Sequence, residues 1–105
     1  MNRKIKEVLD VYGYPVATNT YTGNEDIYFV MTINAFPDDF ADDGPQHIKY
    51  LCSVHLYCPH TFNTMGIKRQ IKKALHDAGF TYPTEIDASD ETQHIVFEFE
   101  GADGG

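Results

Sequence analysis

Ile67-Lys68-Arg69-Gln70-Ile71-Lys72-Lys73-Ala74-Leu75-His76-Asp77-Ala78-Gly79-Phe80 is the stretch whose reading decides the fold. At roughly 100° per residue, Ile67, Ile71, Ala74, Leu75 and Ala78 share one arc of about 100°. Lys68, Arg69, Lys72, Lys73 and His76 take the opposite arc. This is an amphipathic helix with one apolar stripe, so it must lie on something. Asn63 or Thr64 can cap its start, and Gly79 followed by Phe80 suits a left-handed stop with a hydrophobic contact behind it.

On either side the period changes from helical to two. From His47 to Tyr57, residues Ile48, Tyr50, Cys52, Val54 and Leu56 fall on one face of a strand. From Asp26 to Asn34, Ile27, Phe29, Met31 and Ile33 alternate with Tyr28, Val30, Thr32 and Asn34. Pro37, Asp38, Asp39, Asp42, Asp43, Gly44 and Pro45 make the intervening segment a loop, so the two strands form a hairpin with a long acidic tip. A last strand runs from His94 to Glu100 with Ile95, Phe97 and Phe99 inward.

At the start, Ile5, Val8, Leu9 and Tyr12 recur at helical spacing over residues 3–12, until Gly13 and Pro15 stop the helix. A short extended piece, Val16 to Tyr21, comes next. The expected fold is α+β in the order α-(β)-β-β-α-β: a mainly antiparallel sheet of three to four strands with two helices packed on one face. The expected organisation is one domain over residues 1–100 and a flexible tail over 101–105, Gly-Ala-Asp-Gly-Gly.

Composition narrows the function. A chain of 105 residues with seven Phe and seven Tyr has enough apolar area for one core. Its longest apolar run, Ile27 to Met31, is far short of a membrane span. Arg3-Lys4-Ile5-Lys6 has the basic flavour of a secretory n-region, but Glu7 and Asp10 break up any apolar run after it, so a cytoplasmic setting is expected. A net charge of −8 argues against a phosphate-backbone partner and against an anionic membrane.

Cys52, His55, Cys58 and His60 are four soft-metal ligand types within nine residues. Zinc needs its ligands about 2.0–2.3 Å from one point. In a strand, Cys52 and Cys58 would stand roughly 20 Å apart, with His55 on the other face. The expected state is therefore two buried thiols, no metal and no cofactor. The acidic loop lacks the calcium spacing of an EF-hand. Neither Ser53 nor Ser89 sits in a nucleophile elbow, and no phosphate-binding glycine loop is present. Nothing selects an acid–base pair, so the expected protein is not an enzyme.

Charge is unevenly spread. Residues 64–79 carry four basic residues and Asp77, formally +3, which leaves −11 on the rest of the chain. Two surfaces of opposite sign favour a heterologous contact, the kind that closes into rings.

Phe40-Ala41-Asp42-Asp43-Gly44, then the strand Ile48 to Tyr57, then a basic amphipathic helix ending in Ala78-Gly79-Phe80 and a final aromatic strand form a pattern. It resembles the tail-completion proteins of siphophages, also called tail terminators or tail-to-head joining proteins, over about residues 3–100. The resemblance implies a non-enzymatic subunit that assembles as a ring, a hexamer, on the tail tube. There it would stop tube growth and meet the head connector, in the host cytoplasm during assembly and in the virion tail afterwards. Its partners would be further copies of itself, the tail-tube protein and the head connector. With the charge separation, this reading has Lys68, Arg69, Lys72 and Lys73 face acidic groups of a neighbour or of the tube, with Asp38, Asp39, Asp42 and Asp43 as leading candidates. Another virion part, such as a head-side connector or minor tail protein, is the alternative, and a small metal-binding regulator a more distant one.

Overall fold

The computed structural model describes residues 2–37 and 47–104. In chain order the elements are α1 (Asn2–Asp10), β1 (Val16–Thr18), β2 (Tyr28–Pro37), β3 (His47–Cys58), α2 (Met65–Asp77), β4 (Thr84–Asp87) and β5 (Gln93–Gly104). The strands form one sheet in the order β1-β2-β3-β5-β4. The fold is α+β, with both helices on one face.

The sheet is larger than the sequence suggests, and mixed. Five strands replace the expected three or four, because Thr84–Asp87 pairs antiparallel with β5. With two acids and Ile86 as its one aliphatic residue, that segment reads as a polar loop. As an edge strand it needs little more than its backbone hydrogen bonds. The short extended piece is β1, and it runs parallel to β2, with Val16 opposite Phe29. Parallel neighbours usually need a dozen or more connecting residues. Here residues 19–27 suffice, because a three-residue strand leaves little length to retrace. Residues 101–104, read from sequence as tail, extend β5 and pair with β3 as far as Gly104 opposite His47.

Register places the apolar positions in rows. Phe29–Leu56–Ile95, Met31–Val54–Phe97 and Ile33–Cys52–Phe99 lie across β2, β3 and β5 on the helix side. Ile5 and Leu9 of α1 and Ile71 and Leu75 of α2 close over them, all four fully buried. α2 ends in a paired motif: Gly79, at φ +105°, donates to His76, and Phe80 donates to Leu75. Phe80 then turns inward onto Phe99, ring centroids 5.0 Å apart. This is the stop the sequence signalled.

The core occupies one end of the sheet. One row beyond Ile33–Cys52–Phe99, Tyr50 is only half-buried, yet the strands continue to Pro37, His47 and Gly104. A three-stranded tongue therefore extends past the helices, and the molecule measures 53 × 26 × 23 Å.

Candidate interaction surface

No layer of the described residues covers the second face of the sheet. Its rows are Tyr28–Tyr57–His94, then Ala17–Val30–His55–Val96–Ile86, then Thr32–Ser53–Glu98–Thr84, and finally Asn34–Leu51–Glu100. Pleating puts these alternate residues together. Val30 and Val96 are nearly buried among their neighbours, while Leu51 and Ile86 remain exposed.

A ladder of stacked rings crosses one end of this face. Tyr21 lies on Tyr28 with centroids 4.1 Å apart, Tyr28 on Tyr57 at 5.0 Å, and Tyr57 on His94 at 4.2 Å. His55 closes the series, with its Nδ1 2.8 Å from Nε2 of His94. Gly23 makes the far end possible, because a Cβ there would collide with the Tyr21 ring. The Tyr21 hydroxyl accepts the Glu25 amide at 3.0 Å, which holds the loop over the ladder.

Because the rings stack on one another, their faces are mostly used up. An incoming group meets ring edges: hydroxyls and imidazole nitrogens. Burial holds His55 below its usual pKa, with His94 adding to the effect and Glu98 opposing it. Burial also lowers His94, against the pull of Asp90 and Asp87. Tyr57 is raised by burial first, then by Tyr28 and Asp90. The two histidines are therefore neutral near pH 7 and share one hydrogen bond.

Towards the tongue lies a groove of about 460 Å³, lined among others by Asn34, Leu51, Ser53, Tyr82, Glu98 and Glu100. Lys49 reaches Glu100 at 3.4 Å. Glu98 is exposed and, among the described residues, has no cation against it.

The cysteine and histidine run does not converge. Cys52 and Cys58 are free and buried on the helix side, whereas His55 stands on the open face. His60 turns away to the Asp90 carbonyl, 2.8 Å off. No group of three or more His, Cys, Asp or Glu side chains among the described residues is placed to hold an ion. No described helix is long and apolar enough to cross a membrane.

The basic helix face divides into two parts. Lys68 and Lys72 both bind Glu85 of β4, at 3.1 and 3.0 Å, and are largely covered. Arg69 and Lys73 point outward, the latter beside Asp77 at 2.9 Å. Asp38, Asp39, Asp42 and Asp43 lie outside the described residues. Neither protein-family models nor curated proteins give a match to this chain.

Charge is sorted by layer more sharply than the sequence alone suggests. The two helices hold seven of the eight Lys and Arg residues and only Glu7, Asp10 and Asp77, a formal +4. The remainder of the chain carries Lys49 and thirteen acids, a formal −12. The helices therefore make one side of the sheet a basic layer.

Sequence reasoning missed the ring ladder. Tyr28, His55, Tyr57 and His94 do occupy outward positions by parity, and that signal is present in the chain. Which of them meet depends on strand register and on β5 lying beside β3, and no residue pattern states either.

Proposed function

We propose that this chain is a non-enzymatic structural subunit of a long-tailed phage or prophage. It closes the tail tube as a ring, a hexamer in this reading, and offers the joint to the head connector. The observation that carries the proposal is the sorting of charge between the helical layer and the rest of the molecule. A subunit with a basic helical layer and its acids elsewhere suits head-to-tail contact with copies of itself, and such contacts close into rings when the rotation permits.

Three features support the reading. The open face presents tyrosines within an acidic rim, a composition suited to a protein interface. The tongue carries sheet past the core, where it can reach a neighbouring subunit. The acidity of the strands and loops suits a wall around a DNA passage, since like charge keeps DNA from adhering. Of the α2 cations, Arg69 is the one with no carboxylate beside it among the described residues, because Lys68 and Lys72 hold Glu85 and Lys73 pairs with Asp77.

Gene order tests the proposal. Portal, capsid and head-completion genes on one side, with a tail-tube gene on the other, are the expected neighbours. Metabolic or regulatory neighbours, with no virion gene in range, would overturn it.

A further inference from the structure

We infer that the groove on the open sheet face receives Arg69 of a second copy, with Glu98 as its partner, so that the sheet of one subunit packs on the helical layer of the next. The inference rests on the ring reading above and assigns its contact.

Four observations lead there. Glu98 sits in a groove large enough for a long side chain, between hydroxyl groups that can complete a guanidinium's hydrogen bonds: Ser53, Thr84 and Tyr82 line the same space. Among the described residues no cation of its own subunit neutralises it, whereas Lys49 already serves Glu100. On the opposite side of the molecule, α2 exposes Arg69 with no carboxylate beside it among the described residues, while Lys68, Lys72 and Lys73 each have one. An unpaired acid on the front and an unpaired arginine on the back are complementary.

Apolar area surrounds the ion pair. Leu51 and Ile86 are exposed on the open face beside the groove, while Val30 and Val96 are nearly buried among their neighbours. On α2 the exposed Met65 stands one turn before Arg69 and presents apolar surface on the same side. The contact therefore has an apolar centre and a charged specificity element, the usual division of labour in an interface.

Size sets the strength. Five strands about 4.8 Å apart and four rows about 7 Å apart give a face of roughly 400 Å². Two such faces bury about 800 Å², below the roughly 1,200 Å² at which stable specific contacts begin. Single contacts are weak, and a closed ring gains by engaging both faces of every subunit at once.

The test is sedimentation equilibrium of the purified chain up to about millimolar concentration, which reaches contacts of this strength, at low and high salt. The variants are Glu98→Arg, Arg69→Glu and the two together. Both positions are exposed, so each variant should keep the wild-type circular dichroism and melting profile. Wild type is expected to self-associate and to weaken with salt. Each single reversal should weaken association roughly tenfold or more, and the double reversal should restore it. Association of wild type that both single reversals leave unchanged would overturn this contact and leave the ring reading standing on another surface. A wild type that stays monomeric throughout would also overturn this contact, while the ring reading, in which assembly takes place on the tail tube, falls only with the gene order.

Discussion

The hydroxyl of Thr64 donates a 3.1 Å hydrogen bond to Oε1 of Gln93, tying the first residue before α2 to the first residue of β5. Thr64 is buried and makes no cap bond to its own helix. Asn63 does that work, its side-chain oxygen accepting the Met65 amide at 3.0 Å. The Gln93 amide nitrogen donates to the carbonyls of Phe62 and Pro59, at 3.0 and 3.2 Å, and lies 3.4 Å from the Cys58 sulfur. One side chain thus fixes the turn that carries β3 into α2.

Gln93→Ala should therefore cost more than an ordinary surface substitution. It strands two carbonyls and a threonine hydroxyl in a partly buried turn, a loss of about 2–3 kcal/mol. Urea denaturation would show it as a lower midpoint with an unchanged slope. A change below about 0.5 kcal/mol would mean that water replaces the amide fully.

The histidine pair gives stability a pH dependence. Both His55 and His94 are held below their unfolded value, about 6.5, chiefly by burial. The unfolded chain therefore binds protons first as pH falls. Stability is complete above about pH 6.5 and declines below it, towards the lower folded values. Double protonation would also set two N–H donors against each other across 2.8 Å. The urea midpoint should drop between about pH 7.5 and pH 5, before carboxylates begin to titrate. His55→Gln should flatten that drop, and a wild-type midpoint level across the range would refute the account.

The helices and long strands were legible because their periods are clean: Ile67, Ile71 and Leu75 at helical spacing, Phe29 and Met31 at two. Gly79 and Phe80 announced the end of α2 correctly. Three things were not legible, for physical reasons. β4 has too few apolar residues to show a period and is held by backbone pairing and by Glu85. Gly101 to Gly104 extend β5 because backbone pairing with β3 needs no side-chain pattern. The open-face site depends on which strands adjoin. Glu98 meets Ser53 only because β5 lies beside β3, and nothing local in either segment encodes that.

The two thiols should be silent in the folded protein. Burial pushes Cys52 up to about 11 and raises Cys58 as well, partly offset by Gln93. The thiolate is the reactive form, and neither sulfur reaches solvent to form it. A thiol reagent at mildly alkaline pH should label neither residue in the native state and both in urea, at a native rate set by unfolding. Fast labelling of one native thiol would show that the core opens locally at that strand.

Glu85 has two consequences that one substitution separates. Burial alone would raise its pKa, but hydrogen bonds and charge from Lys72 and Lys68 outweigh it, so the carboxyl sits below its usual value. It is the tether between α2 and the short edge strand β4, and all three side chains are about three-quarters covered. Glu85→Gln keeps the shape and removes the charge, leaving two lysines facing a neutral amide. The expected loss is about 1 kcal/mol at low ionic strength. It should shrink as salt screens the wild-type pair and the lysines' mutual repulsion. The same substitution frees Lys68 and Lys72 to add their charge to the helical layer beside Arg69. If that layer meets an acidic partner surface, Glu85→Gln should destabilise the subunit yet tighten its self-association at low salt. Both quantities read on one sample, by urea denaturation and sedimentation, separate the tether from the interface: loss of stability with unchanged association would confine Glu85 to holding β4 in place.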